Sequence, residues 1–418
     1  RDIGVTGVQT CALPICNSTY ADVNGDFNIT HGGTGSVTVN SPLRGRWFTV
    51  FDQANGDTTP TLTDTVTPPG PANFLHNPTA DQDLSTANIN AYYESNVVRD
   101  FVLSYEPTFP TIFNQTSFTI NTNINDSCNA YYDGSSINFF QAGGGCNNTS
   151  FADVVWHEYG HHLVNVTGNG QGQFGEGSGD ILGVLLHEEP ITGNGFQQNC
   201  NAGIRTADNN KQYPCSGGIH DCGQLISGCV WDTMNELMQT EPSNYQQISS
   251  ALFLGMLIVR GQTQPGNTTI EPSITVIYLE LDDDDGNIGN GTPHYNEIAA
   301  GFGAHSMDAP DLNLVEFTFP DGQPELVSPL GGMAFTVEIT DLQETQDPAT
   351  ATLHVDRGNG FESFGLIEIS SGLYEAHFPE SECATELKYY FSVSTLEGNS
   401  QTSPSNAPTT YYTALSAD

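Results

Sequence analysis

The sequence predicts a multidomain fold: a short β-rich N-terminal segment, an α+β core, and an all-β sandwich at the C-terminal end. Three observations carry this. The chain has 418 residues, more than one ordinary domain, so two or three are expected. Its middle mixes helical spacing with strand-like alternation. After about residue 308 the helical spacing stops and period-two alternation takes over.

Taken in order, residues 17–65 read as short strands with turn signals, as in GSVTVN and RGRWFTVFDQ. The Pro-, Asn- and Asp-rich run TVTPPGPANFLHNPTADQD then marks a connector, so 16–85 is taken as segment plus linker. Ahead of it, VTGVQTCALPI (5–15) reads as the translation of a short-read sequencing adapter. Residues 1–15 are therefore expected to be a non-native scar, with the true signal peptide missing. From 86 to 308 helices are interleaved with β-like TSFTINTNIN and SSINFF. In the first helix Tyr92, Val97, Phe101 and Val102 recur at helical spacing, with Ser85 as its cap. From 309 to 418, MAFTVEIT, ATATLHVDR, LYEAHF and LKYYFSVST alternate apolar and polar residues. About 100 residues of that pattern argue for an immunoglobulin- or fibronectin-like sandwich without a catalytic cluster, an accessory module.

Charge narrows the function. Nine Lys plus Arg stand against 49 Asp plus Glu, a net charge of −40. Such a surface repels phosphate backbones and anionic headgroups, which argues against nucleic-acid and membrane-surface partners. No apolar run approaches the ~18–20 residues of a membrane span. Nine cysteines, several in close pairs, point to an oxidising, extracellular compartment. Oligomeric state leaves no readable signal.

The chemistry is concentrated in VVWHEYGHHLV (154–164). On a helix, residues four apart differ by about 40° in direction, so His157 and His161 share a face. His162 lies about 140° from His157 and is expected at the surface as a bystander. Glu158 flanks the pair within reach of a metal-bound water. This is H-E-x-x-H, the zinc-hydrolase signature, and imidazole suits zinc. A third ligand is required. The extended pattern needs Gly at 164 and His at 167, where the chain has Val164 and Thr167. Glu176 in GEGSGD is the better candidate, because a Gly-rich turn before it can bring the next helix back beside the first. Asp180, one turn on, is placed to accept the ring N–H of a ligand histidine. Glu188 and Glu189 are rivals that read as a solvated helix end.

H-E-Y-G-H followed by G-E-G-x-G-D resembles the thermolysin-like and fungalysin-like metallopeptidases, the gluzincins. The resemblance covers about 86–308 and implies a two-lobed core. NAYYDGSSINFF (129–140) looks like the family's substrate-pairing edge, which implies that Asn129 and the Ala130 backbone hold peptide main chain. GIRTADNNKQYP makes Arg205 a candidate for binding a substrate carbonyl. His220 falls where the family keeps a histidine for the developing oxyanion; a structural cap of the following helix is the alternative. The implied function is a secreted zinc endopeptidase acting on protein or peptide, with Glu158 as the proton carrier. A surface adhesion or binding protein with a degenerate peptidase core, and a zinc aminopeptidase, stay open as alternatives.

Two further features are recorded. LDDDDGNIGNGTPHYNEI offers Asp283, Asp285 and Asn287 as candidate calcium ligands, with Asn290 and His294 as turn formers. Cys128–Cys146 is the expected bridge around the NAYYDG hairpin. Cys200–Cys215 and Cys222–Cys229 are suggested by proximity, but a continuous helix over 222–229 would hold that last pair about 10 Å apart, so cross-pairing within 200–229 stays open.

Overall fold

The computed structural model describes residues 7–12, 15–22, 24–79 and 82–417. The chain divides into two compact units, Arg1–Asp282 with His294–Ala309, and Asp283–Pro293 with Pro310–Asp418. The stretch 1–15, expected to be non-native, lies partly outside the described residues; of it, Gly7–Ala12 forms a strand. With Ile15–Tyr20, Val37–Pro42 and Thr61–Val66 it makes an antiparallel sheet.

A second sheet of the first unit runs in the order Phe48–Asp52, Phe118–Ile124, Ser136–Phe140, Ala130–Tyr132. The first three strands are parallel. Ala130–Tyr132 joins antiparallel at the end of the order, paired on one side among the described residues, so its outer backbone groups form an edge.

Helices α1 (Asp83–Tyr105), α2 (Ala152–Val166), α3 (Gly172–His187), α4 (Ile219–Thr240), α5 (Tyr245–Thr263), α6 (Ser273–Asp282) and α7 (Tyr295–Gly303) complete the unit. Helix α1 starts three residues earlier than a cap at Ser85 suggested. Gln82 is its extended N-cap, and Asp83 places a carboxylate on the positive end of the helix dipole. Helix α2 is buried on nearly every side, which corrects the expectation for His162. That residue is 3 % exposed. It stacks on Phe118 at 4.3 Å, and its Nδ1 and Nε2 lie 3.1 Å from the Tyr132 hydroxyl and 2.9 Å from Gln115 Oε1. One face of α2 meets α3 and the other meets the sheet, so the face turned away from the site is interior too.

Glycines set how close the site helices come. A Cβ on Gly160 would lie 2.7 Å from the Gly179 Cα, so α2 and α3 pass almost backbone to backbone there. On the other side of α3, a Cβ on Gly223 of α4 would lie 2.9 Å from both the Glu176 Cβ and the Gly177 nitrogen. Gly in a helix interior costs about 0.5–1 kcal/mol relative to Ala. Here the close contact offsets that cost and brings side chains of three helices to one place.

In the second unit a four-stranded sheet (Val315–Thr318, Ala334–Asp341, Leu373–His377, Ile367–Ser370) and a six-stranded one (Leu326–Val327, Tyr412–Ser416, Glu386–Ser394, Thr352–Asp356, Phe361–Gly365, with Ser400–Ser403 on Glu386–Ser394) share a single core. Val337, Ile339 and Tyr374 of one sheet pack with Leu353, Tyr389 and Phe391 of the other. The period-two alternation seen in the sequence is the inward and outward alternation of these strands.

Cys128 and Cys146 are disulfide-bonded, with Cα atoms 5.3 Å apart. The other suggested pairings are corrected. Cys215 bonds Cys222 across 5.7 Å between Cα atoms, while Cys200 and Cys229 carry free thiols. Helix α4 runs unbroken through 222–229, holding Cys222 and Cys229 two turns apart. The loop before α4 folds back far enough for Cys215 to reach Cys222.

Candidate metal centre

Helix α2 carries His157, Glu158 and His161, and the close passage of α3 brings Glu176 across from them. His157 Nε2 lies 3.4 Å from Glu176 Oε2, and His161 Nε2 lies 3.8 Å from Glu176 Oε1. One ligand atom from each of the three residues falls within 4.8 Å of the others. Two donors about 2.05 Å from a tetrahedral ion are themselves about 3.4 Å apart, so the spacing suits one small divalent cation.

The far side of each imidazole is held. His157 Nδ1 is 2.9 Å from Asp180 Oδ1, and His161 Nδ1 is 2.8 Å from Gln171 Oε1. An acceptor on Nδ1 keeps the proton there and leaves the Nε2 lone pair for a metal. Asp180 is in turn gripped by Arg205, whose Nε and Nη2 each donate over 2.7 Å to its two oxygens. The guanidinium expected to bind a substrate carbonyl therefore has a carboxylate partner, although Arg205 also lines the cleft.

The electrostatics follow from burial and from these pairs. Burial disfavours a charged His157, but the Asp180 and Glu176 carboxylates outweigh it and lift its pKa to about 10. His161 is pushed down to about 4, by burial first and then by the charge on His157. Burial also works against the Asp180 anion, yet its bonds to His157 and Arg205 hold its pKa at about 2. For Glu158 burial wins, and its pKa rises to about 7. The pocket thus holds a strong proton site on His157 between carboxylates, a place that a cation can take instead.

Among the described residues the buried Glu158 Oε2 has no hydrogen-bond partner, and the buried Glu176 Oε2 meets the His157 and His220 nitrogens at 3.4 and 3.2 Å without hydrogen-bond geometry. Buried polar atoms without partners are costly, and these two border one cleft of about 370 Å³. A bound cation and a water would satisfy them, so the residues present fit a metal. The cleft is bounded by Asn129, Ala130 and Tyr131 on the sheet edge and by Val154, Phe196, Ile204 and Ile219 as an apolar wall. His220, in the first turn of α4, is 61 % exposed at its side chain and reaches within 3.2 Å of Glu176 Oε2. Residues expected to act together from the sequence, His157, Glu158, His161, Glu176, Asp180, Asn129, Ala130, Arg205 and His220, thus surround or back one cleft.

The acidic loop is a separate feature. Asp283, Asp284 and Asp285 lie together, and the Asn287 Oδ1 accepts from the Gly289 nitrogen at 3.2 Å. Asp285 accepts from Asn287 N and from the Asn290 side chain, at 2.9 and 2.7 Å. His294 bonds Asp282 through Nδ1 at 2.6 Å.

Gln171 is the residue that sequence reasoning missed. It ends the turn after α2, and nothing marks a glutamine there as an orienting group except its place just ahead of the helix bearing Glu176.

The sequence matches no protein-family model and no curated protein. Among solved structures, the chain is similar to the precursor of protealysin, a metalloproteinase from Serratia proteamaculans, at 13 % identity and a TM-score of 0.45, over 62 % of this chain and 87 % of that one. It is also similar to an engineered protein at 12 % identity and a TM-score of 0.19, over 80 % of this chain and 71 % of the other.

Proposed function

We propose that the protein is a secreted zinc-dependent metalloendopeptidase of the thermolysin-like and fungalysin-like kind. In this reading a two-lobed catalytic core spans 86–308, and an immunoglobulin- or fibronectin-like accessory sandwich spans 309–418. One observation carries it: two imidazole Nε2 atoms and the Glu176 carboxylate meet beside an unpartnered Glu158 oxygen in an open cleft. His157, His161 and Glu176 would hold the ion, and a nitrogen–nitrogen–carboxylate set with room for water is the donor chemistry of catalytic zinc. When bound, zinc lowers the pKa of water and polarises a carbonyl.

The chain's own groups supply the remaining steps. Glu158, with a pKa pushed up to about 7, is suited to take a proton from water at Oε2 and to deliver it to the departing amine. His220 is assigned to donate to the oxygen that gains charge on the scissile carbonyl. Such a donor is typically worth about 3–4 kcal/mol. The edge at Ala130, with Asn129 beside it, would hold extended peptide by strand addition. The apolar wall of Val154, Phe196, Ile204 and Ile219 would seat an apolar side chain next to the cleaved bond. Asp180 and Arg205 position His157.

Export is supported by the Cys128–Cys146 and Cys215–Cys222 bridges. None of the helices among the described residues is long and apolar enough to cross a membrane. Asp283, Asp285 and Asn287 are kept as calcium candidates, to be tested by melting with chelator and calcium. For the activity, zinc is quantified by elemental analysis and casein hydrolysis is followed with and without o-phenanthroline. About one zinc per chain is expected, with hydrolysis blocked by the chelator. Glu158→Gln should retain the metal and lose turnover; full activity in that variant would remove the assignment.

A further inference from the structure

We propose that a two-point clamp, the Cys215–Cys222 disulfide and the Lys211–Asp221 ion pair, aims His220 into the cleft. Packing cannot do this. The His220 side chain is 61 % exposed and Ile219 is 46 % exposed. The turn begins after Gly217 and Gly218, and the N-cap Gly218 offers no side chain to cap it. Left to itself, the first turn of an exposed helix frays. Yet His220 Nε2 is held 3.2 Å from Glu176 Oε2.

The residues on its C-terminal side explain how. Asp221 Oδ1 is 2.7 Å from Lys211 Nζ. Cys222 is fully buried and is bonded to Cys215, seven positions earlier. Both tethers lead to the same loop, which is itself anchored beyond the end of α7. His305, with no exposed surface, donates from Nδ1 to the Lys211 carbonyl at 2.7 Å. Tyr213 N donates to the His305 carbonyl at 2.9 Å, and the Gln212 side chain donates to Ala304 O at 2.8 Å. An exposed ion pair contributes little by itself, so the covalent tether carries most of the restraint, by limiting how far 216–221 can wander.

The inference rests on the reading of His220 as the oxyanion donor and makes Cys215, Cys222, Lys211 and Asp221 positioning residues. The test compares Cys215→Ala/Cys222→Ala and Lys211→Met with wild type and His220→Ala, all as zinc-loaded full chains. Peptide mass mapping should find Cys215 bonded to Cys222. Loss of the disulfide should speed hydrogen exchange over 216–222 and lower kcat by about tenfold or more, with KM and zinc content within about twofold. On a His220→Ala background the same cysteine change should lower kcat little further, since both remove one donor.

Free thiols at 215 and 222, or unchanged exchange over 216–222, overturn the clamp. Unchanged kcat in the cysteine variant beside a slow His220→Ala overturns its catalytic purpose while leaving the donor in place. A fully active His220→Ala instead removes the donor reading, and the clamp's purpose with it. Should the cysteine variant lose zinc or fold poorly, Lys211→Met decides with the disulfide intact: it should show faster exchange over 216–222 and a smaller loss of kcat.

Discussion

His161 and Gln171 form a reciprocal pair: the imidazole Nδ1 faces the amide Oε1 at 2.8 Å, and the amide Nε2 donates to the His161 carbonyl at 3.0 Å. Because the amide nitrogen is committed to a carbonyl, the amide oxygen must face the ring, and the ring must present Nδ1–H. Gln171 makes no side-chain cap bond to α3, so its removal leaves the helix start intact. Gln171→Ala is expected to weaken zinc binding by about 10- to 100-fold. Competition with a chelating indicator measures this, and kcat at saturating zinc should change much less. An unaltered zinc affinity would show that the amide orients nothing.

Glu158 sets a pH dependence in the metal-free protein. Burial raises its pKa from 4.5 to about 7, so the folded state binds this proton more tightly than the unfolded chain. Stability from this group is complete below about 4.5 and is lost as pH rises through 7, on the order of 3 kcal/mol. His157 adds a loss in the same direction between 6.5 and about 10. His161 and His162, both pushed down to about 4 by burial, change stability the other way between about 4 and 6.5. Chelator-treated wild type should therefore melt lower at pH 8 than at pH 6.5, where that opposing change is largely over. Glu158→Gln, which cannot ionise, should narrow that difference. Equal slopes for the two proteins would show that the Glu158 carboxyl is not in a desolvated site. With a divalent cation bound the carboxylate is favoured, so the acid limb of activity is expected below 7.

The helix crossing makes a paired prediction about glycines. Gly160→Ala puts a methyl 2.7 Å from the Gly179 Cα, a backbone atom that cannot swing aside. Overpacking of this kind costs about 1–3 kcal/mol, and parting α2 from α3 also draws Glu176 away from the histidines. Gly183→Ala, in the same helix as Gly179, meets only the Asp153 Cβ at 3.9 Å and should be neutral or stabilising by up to about 1 kcal/mol. Thermal melting and zinc titration of the two variants separate a packing glycine from an incidental one.

What was legible in the sequence follows from what periodicity and spacing encode. The i, i+4 placement of His157 and His161 and the one-turn spacing of Glu176 and Asp180 are properties of single helices, and they survive into the fold unchanged. The burial of His162 is not such a property: it depends on the sheet that covers the second face of α2, which the helix's own sequence does not specify. For the same reason the Cys215–Cys222 bridge was open, since it depends on where a loop lies over a helix start. Glycines 177 and 179 fall inside the helix that spacing predicts, but nothing in that spacing marks them as the interhelical contacts they are. Gln171 has no spacing rule to reveal it.

Arg205 allows the last separation, between a substrate contact and a support of the metal centre. Its Nε and Nη2 both bind Asp180, and Asp180 is 2 % exposed. Removing the guanidinium leaves a buried carboxylate with His157 as its remaining partner, which weakens its hold on one tautomer. Arg205→Met is therefore expected to lower zinc affinity by roughly tenfold. Arg205→Lys should recover little, because an ammonium cannot match two carboxylate oxygens side by side. A pure substrate contact would behave differently, raising KM while zinc binding stayed at the wild-type level. Measuring zinc affinity and KM on the same preparations distinguishes the two, and an unchanged affinity would assign the side chain to the peptide rather than to Asp180.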